Sequence, residues 1–204
     1  MRVHSFFDGG YASMSYLVTD DAGQHGVLID PSVTYDRAVR EYGSLPKIEA
    51  LLLTHGHFDH ILTLDEWREK TGAPVYVSGA DSSMLTNARL SCFYQFFGEN
   101  RTFAPAEHLL KDGEKISFGD TSLTVMLTAG HTAGSCVYIG DGVLFTGDTV
   151  FADGGYGRTD LPSGSESALW ESIRRIFSLG EHYRIYPGHG RDSTLKDEKH
   201  YHYL

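Results

Sequence analysis

The run Thr54-His55-Gly56-His57-Phe58-Asp59-His60 is the most informative part of this chain. It follows directly on Leu51-Leu52-Leu53, and an apolar run on successive positions is typical of a strand buried on both faces. Side chains at the end of such a strand are held rigidly by the sheet behind them. Three imidazoles and a carboxylate at that place have little structural use, so the run predicts a metal site rather than a solvated turn.

The spacing within the run divides its polar side chains into two groups. Gly56 allows a sharp turn of the backbone, so that His55 and His57 can point at one centre. Asp59 and His60 come one turn later, and we expect them to face a second centre beside the first.

Three further candidate ligands each stand next to a glycine, just after a predicted strand: Gly130-His131, Gly147-Asp148 and Gly188-His189. A single histidine after a strand is more often a capping or hydrogen-bonding residue, so each pair alone is a weak signal. With the first run, however, five histidines and two aspartates stand at strand ends. This combination predicts that they share one rim of a sheet structure.

Predicted strands, turns and helices follow the same plan in both halves of the chain. Strands are predicted at 2–7, 15–19, 26–30, 49–54 and 74–78, then at 115–118, 122–127, 135–139, 143–146 and 184–186. Helices are predicted at 35–42, at 61–70, and from the capping box Ser163-Gly164-Ser165-Glu166 to Gly180, whereas 85–105 is irregular. This order predicts an αββα four-layer sandwich of the α/β (α+β) class, in a single domain over residues 1–204 made of two similar halves.

The composition limits the partners of the protein. A net charge of −10 without a dense basic cluster argues against nucleic acid. No apolar run approaches the roughly 20 residues of a membrane span, and the N-terminal MRVHSFFDGG lacks a secretion signal. The two cysteines, Cys92 and Cys136, are too few for a disulfide framework and are expected in the core. We therefore expect a cytoplasmic protein with no nucleic-acid or membrane partner.

The order His-x-His-x-Asp-His, then His, Asp and His, between positions 55 and 189, resembles the metallo-β-lactamase superfamily. The resemblance implies a first metal held by His55, His57 and His131, a second held by Asp59, His60 and His189, and a bridging Asp148. All seven positions are present, so it implies two divalent metal ions. A set of imidazoles and carboxylates without thiolate suits Zn²⁺, and Fe and Mn also fit. Class B1 β-lactamases carry cysteine where Asp148 stands, which counts against antibiotic hydrolysis.

The chemistry expected of such a centre is hydrolysis. Two cations a few Å apart can share a water and lower its pKa from about 15.7 to about 7. The bridging hydroxide would attack a carbonyl carbon while one metal stabilises the oxyanion. Asp59 is the predicted catalytic residue, because it can orient the hydroxide or accept its proton.

Two segments offer candidate substrate contacts. The segment Gly157-Arg158-Thr159-Asp160-Leu161-Pro162 resembles a loop of the glyoxalase II-like branch. Arg158 either anchors an anionic substrate or pairs with Asp160 to stiffen the loop, and Tyr156 is expected to contact the substrate at the mouth of the site. The aromatic residues of 93–103 form either a small satellite core or a movable apolar wall over the metals.

The leading hypothesis is a hydrolase that cleaves a small acyl thioester and is similar to hydroxyacylglutathione hydrolase. Members of that branch carry a C-terminal helical glutathione-binding domain, which we do not expect here because only fifteen residues follow His189. The alternatives are a lactonase and a persulfide dioxygenase, whose single iron would use His55, His131 and Asp148. A metal-storage protein is disfavoured because closed structural zinc sites are usually rich in thiolates. RNA-processing members need a basic face, and flavodiiron members have glutamate where His57 stands.

Overall fold

A computed structural model of the chain describes residues 1–7, 9–11 and 13–202, which form two six-stranded sheets flanked by helices. The first sheet has the order β1-β2-β3-β4-β5-β6. Its strands are β1 (Arg2–Phe7), β2 (Met14–Thr19), β3 (His25–Ile29), β4 (Lys47–Leu52), β5 (Val75–Ser78) and β6 (His108–Leu110). The first three strands pair antiparallel, and β3 to β6 pair parallel. Helices α1 (Tyr35–Tyr42) and α2 (Leu64–Thr71) make the first two parallel crossovers.

The second sheet is formed by the other half of the chain, in the order β12-β11-β10-β9-β8-β7. Its strands are β7 (Lys115–Phe118), β8 (Thr121–Leu127), β9 (Cys136–Ile139), β10 (Val143–Gly147), β11 (Arg184–Pro187) and β12 (Ser193–Thr194). Only the pairing of β10 with β11 is parallel among the described strands of this sheet, and helix α5 (Glu166–Phe177) crosses between these two strands.

Three apolar layers separate the four layers of secondary structure. One layer lies between the sheets and includes Leu52 and Tyr138. A second layer packs Leu51 and Trp67 between the first sheet and its helices, and a third packs Leu169 against the second sheet. Adjacent leucines of β4 therefore enter different layers, which confirms that this strand is buried on both faces. The αββα sandwich predicted from the sequence is confirmed.

The start of α5 differs from the prediction. The N-cap is Ser165, whose Oγ accepts a hydrogen bond from the Ala168 amide at 3.4 Å. Ser163 lies in a preceding turn with φ of 69°, and its Oγ accepts from the Ala133 amide at 3.2 Å. The predicted N-cap position was therefore wrong by two residues, because the Ser163 side chain makes a contact within the loops and does not cap the helix. The helix also ends at Phe177, before the expected stop at Gly180.

Other elements differ from the sequence prediction because tertiary contacts determine where they begin and end. Strand β4 begins and ends two residues earlier than predicted, and a 3-10 turn at Phe58–His60 precedes α2. The irregular stretch contains the end of α3 (Ser82–Leu85) and all of α4 (Phe93–Phe97). Strands β6 and β12 and helix α6 (Leu195–His202) were not predicted. Among the described residues, no helix is both long and apolar enough to cross a membrane.

Candidate metal centre

The seven candidate ligands lie together at one rim of the sandwich. His55 and His57 follow β4, His131 follows β8, Asp148 follows β10 and His189 follows β11, with Asp59 and His60 in the 3-10 turn. Their ligand atoms form three groups, each within 4.8 Å: His55, His57 and His131; His55, His60 and Asp148; Asp59, His60 and His189. The first and third groups are the two centres expected from the sequence.

Asp148 lies between these two centres. Its Oδ2 is 3.5 Å from His131 Nε2 and 3.5 Å from His189 Nε2, and its Oδ1 is 3.4 Å from His60 Nε2. The carboxylate thus contacts one imidazole of the first centre and two of the second. This is the position that a bridging ligand requires.

Orphaned polar atoms test whether cations fit this site. His55 Nε2, His57 Nε2 and Asp148 Oδ1 are buried and have no hydrogen-bond partner in the part of the chain that the structure describes. Buried polar atoms are normally hydrogen-bonded, so such a cluster indicates a missing ligand. His57 Nδ1 also lies 2.8 Å from His131 Nε2, an arrangement that a shared cation would explain. Imidazole nitrogen and carboxylate oxygen are suitable donors for Zn²⁺ or iron.

Hydrogen bonds on the far side of two imidazoles orient them toward the centre. His60 Nδ1 donates to Asp30 Oδ2 at 2.8 Å. Thr54 Oγ1 donates to the same Asp30 oxygen at 2.7 Å and accepts from His55 Nδ1 at 3.1 Å. The Nε2 atoms of His55 and His60 are therefore left for a metal, since the partner of one ring nitrogen fixes the role of the other.

His131 is oriented in the same way by the backbone of the following loop. Its Nδ1 donates to the carbonyl oxygen of Arg158 at 2.7 Å. The side chain of Arg158 turns to Asp160, with two nitrogen–oxygen distances of 2.6 Å. The pairing interpretation of Arg158 is thus confirmed, and Arg158 is also among the residues that line the cavity above the ligands.

The remaining candidate, Tyr156, lies apart from this cavity. Its ring packs on Trp170 with centroids 5.0 Å apart, and its backbone forms a bridge with Val150. It is not among the described residues that line the cavity. A substrate contact by Tyr156 stays a prediction that its position does not support.

The electrostatics of the two centres differ. Burial lowers the pKa of His55 and lowers that of His57 to about 3, so both imidazoles are neutral. Burial opposes protonation of His60 and His189 as well, but neighbouring carboxylates outweigh it, holding the pKa of His60 well above its usual value and raising that of His189 to about 9. His55 and His57 are thus ready to bind a cation, whereas a cation bound by His60 and His189 would displace protons.

The two aspartates of the ligand set, Asp59 and Asp148, remain ionised. Burial would raise the pKa of Asp59 and Asp148, but the charge of His60 and hydrogen bonds from His189 lower both. Asp59 Oδ2 lies 3.2 Å from His189 Nε2. Both carboxylates can therefore act as ligands.

A buried carboxylate that the sequence analysis missed connects the two loops of the first centre. Asp81 accepts hydrogen bonds from the Gly56 amide at 3.2 Å, the Thr132 hydroxyl at 2.7 Å and the Gly134 amide at 2.8 Å. Gly56 directly precedes His57, whereas Thr132 and Gly134 follow His131 in the next loop. No pattern marked Asp81, because its partners lie far away in the sequence.

Two glycines at the site are required by close packing. His55 and His57 converge on one centre as expected, but Gly56 between them does not have positive φ. Glycine is required there by space instead, because a Cβ at this position would come within 2.6 Å of Met84 Cβ. A Cβ at Gly188 would come within 2.1 Å of Asp148 Oδ1. Glycine at position 188 therefore leaves room for the carboxylate of Asp148, the candidate bridging ligand.

The aromatic stretch divides into two parts. Phe93 and Phe103 are buried beside Cys92 in the large cluster between the first sheet and its helices, so they belong to the main core rather than to a separate satellite core. Phe96 is 54% exposed and lines the cavity, as the wall interpretation requires. The stretch is therefore main core at Phe93 and Phe103 and cavity wall at Phe96, and the movement of that wall stays a prediction. Cys136 is buried between the sheets as expected, whereas Cys92 also borders the cavity, which was not expected.

Comparison with known proteins agrees with this geometry. The family model of the Metallo-beta-lactamase superfamily matches residues 8–189. The chain is 34% identical over 193 residues to the probable metallo-hydrolase YqgX of Bacillus subtilis (strain 168), covering 92% of this chain and 89% of that protein.

Two solved structures are similar over nearly their full lengths. The B3 metallo-beta-lactamase BLEG-1 has a TM-score of 0.89 at 31% identity, covering 98% of this chain and 97% of that one. TTHA1623, solved in a di-iron-bound form, has a TM-score of 0.84 at 30% identity, covering 99% of this chain and 100% of that one.

Proposed function

The chain belongs to the metallo-β-lactamase superfamily, and from that premise we propose that it is a dinuclear metallohydrolase that cleaves small acyl thioesters. The observation that carries the proposal is Asp148, which lies within 3.5 Å of imidazoles from both centres. Seven ligands are more than one four-coordinate site uses, so the arrangement favours two cations.

The residues of the site have distinct roles in this proposal. When bound, two divalent cations supply a water of lowered pKa and polarise a carbonyl oxygen. The hydrogen bonds of Asp30 and of the Arg158 carbonyl hold the imidazoles in place. Asp59 is ionised and borders the cavity, so it can orient a water or accept its proton.

The leaving group decides which carbonyl compound is preferred. A thiolate leaves readily because its conjugate acid has a pKa of about 8.5. An amide nitrogen must be protonated as it leaves, so its expulsion would depend on Asp59 returning the proton that it took from the water. This difference supports thioesters over peptides, as in the glyoxalase II-like branch.

We take Zn²⁺ as the working metal because the donors are imidazoles and carboxylates. Iron is the competing metal, since the similar protein TTHA1623 was solved in a di-iron-bound form. Activity and metal content must therefore be measured together.

Hydrolysis of β-lactams is the second candidate. The observation that favours it is the likeness to BLEG-1, which is described as a B3 metallo-beta-lactamase. Both reactions need the same water and the same polarised carbonyl, so the site alone does not separate them. The two reactions differ in the acyl group and in the leaving group, so an assay with both kinds of substrate separates them.

The test is a parallel assay of zinc-loaded and iron-loaded protein. The substrates are small acyl thioesters such as S-lactoylglutathione, a chromogenic β-lactam, a lactone, and glutathione persulfide with oxygen uptake recorded. We expect the highest kcat/KM for a thioester and no oxygen uptake by the zinc-loaded protein. Higher kcat/KM for the β-lactam or lactone would replace the thioester proposal. Iron-dependent oxygen uptake without thioester cleavage would favour a persulfide dioxygenase.

A further inference from the structure

The cavity above the metal ligands has two unlike sides. It encloses about 260 Å³, and one side is formed by five of the candidate ligands. The other side, which we call the apolar wall, is formed by Tyr11, Phe58, Cys92, Phe96 and Leu161. A carbonyl group placed at the ligands would therefore have the apolar wall beside it.

The aromatic members of the wall pack on one another from three separate segments. The ring centroids of Phe58 and Phe96 are 4.9 Å apart, and those of Tyr11 and Phe58 are 5.2 Å apart. Phe58 lies in the ligand run itself, and its amide donates to the Ser91 carbonyl at 2.9 Å. Phe58 therefore joins the wall to the ligand run, since His57 and Asp59 stand on either side of it.

Part of the wall is open to solvent. Tyr11 is 42% exposed and Phe96 is 54% exposed, although both are large aromatic residues. Exposed apolar surface that is continuous with a functional site normally marks a binding surface. Phe96 lies on the five-residue helix α4 and packs on Phe58 while more than half of its surface stays exposed.

The wall offers little to an anionic or strongly polar group. Among the described residues that line the cavity, Arg158 is the one lysine or arginine, and its guanidinium is engaged by both oxygens of Asp160. Burial, with a contribution from Asp59, raises the pKa of Cys92 to about 11, so its thiol is uncharged. The natural occupant of this side is therefore apolar.

We propose that the apolar wall is an acyl subsite, and that the preferred substrates carry a short apolar acyl chain rather than a hydroxylated or anionic one. This inference rests on the proposed thioesterase function. The acyl chain is the better occupant than the thiol carrier, because common carriers are long and rich in hydrogen-bonding groups. The cavity is slightly smaller than the roughly 300–1,000 Å³ of typical small-molecule sites, which limits the chain to a few methylene groups.

The first experiment measures kcat/KM of the zinc-loaded protein with straight-chain thioesters of N-acetylcysteamine, from acetyl to octanoyl, and with the lactoyl and succinyl thioesters. We expect kcat/KM to rise about two- to fourfold per methylene up to about hexanoyl, as burial of each group predicts. Butyryl should exceed lactoyl and succinyl. Phe96→Ala should remove most of the chain-length dependence, and Phe96→Leu should retain part of it.

Tyr94→Ala is the matched control, because Tyr94 lies on the same helix but stacks on Arg89 at 4.0 Å and does not line the cavity. It should retain the full chain-length dependence. An equal loss in Tyr94→Ala and Phe96→Ala would assign the effect to the helix as a whole and overturn the subsite.

A second measurement does not depend on turnover. Calorimetric titration of the zinc-loaded protein with carboxylates from acetate to octanoate should show affinity that rises with chain length and depends on Phe96. If no thioester is cleaved but this dependence is present, the thioesterase function fails and the apolar subsite stands. If thioesters are cleaved at one rate for every chain length and carboxylate affinity is flat, the subsite is wrong and the thioesterase function stands.

Discussion

Asp30 Oδ2 accepts a hydrogen bond from His60 Nδ1 at 2.8 Å, and both side chains are almost completely buried. The bond leaves His60 Nε2 facing Asp148 and His189, so a residue outside the ligand set determines how one ligand points. Asp30 directly follows the buried strand β3 and has φ of 51°, a conformation that aspartate adopts more readily than most residues.

Replacing Asp30 tests this orientation. Asp30→Asn should weaken metal binding about 10- to 100-fold, most strongly at the second centre, because loss of such a partner lets the imidazole turn. It should also lower the free energy of unfolding by about 1–3 kcal/mol, since buried donors lose their partner. Metal titration of the apo protein and denaturant unfolding measure the two effects. Asp36→Asn on the exposed face of α1 is the control. Unchanged metal affinity in Asp30→Asn would contradict the assigned role.

The position of Asp148 predicts a different pattern from that of a terminal ligand. Asp148→Asn should weaken both metal sites, because the carboxylate contributes charge to both cations. His189→Ala should mainly weaken the second, because its imidazole serves one cation. Stepwise metal titration of each apo variant distinguishes the sites. Loss of the same single site in both variants would remove Asp148 from the bridge.

Asp81 makes the complementary prediction for the first centre. Asp81→Asn retains the size of the side chain but weakens its bonds to Gly56, Thr132 and Gly134. We expect lower metal affinity at the first centre and little change at the second, opposite to the result for Asp30→Asn. The measurement is again metal titration, with circular dichroism to verify folding. An equal loss at both centres would mean that Asp81 supports the fold rather than the first centre.

The corrected helix start is testable by stability alone. Ser165→Ala should lower the free energy of unfolding by about 0.5–1 kcal/mol, because the first turn of α5 loses its capping acceptor. Ser165→Asn should restore most of this loss. Urea unfolding of both variants beside Ser163→Ala gives the comparison. A larger effect of Ser163→Ala would return the cap to the predicted position.

The sequence contained the ligand order and the pattern of the strand before it. The successive leucines of β4 require burial on both faces, and this is a local signal that the sandwich satisfies directly. His131, Asp148 and His189 were also recognisable locally, because each follows a glycine just after a predicted strand. Histidine and aspartate side chains at strand ends contribute little to a hydrophobic core, so their presence there indicates a functional site.

What the sequence did not contain depends on contacts between distant segments. Asp30 and Asp81 reach partners more than 20 residues away, so no spacing marks them. Phe93 and Phe96 are similar in sequence but differ in burial, because only the first faces the core. The three-residue strand β6 is too short to show an alternating pattern and is recognised through its pairing with β5.

Elemental analysis of purified protein after metal-replete expression tests the central claim most directly. Two groups of three ligands with Asp148 between them predict close to two divalent metal ions per chain. A reproducible ratio at or below one, in protein that is fully folded, would contradict a dinuclear centre.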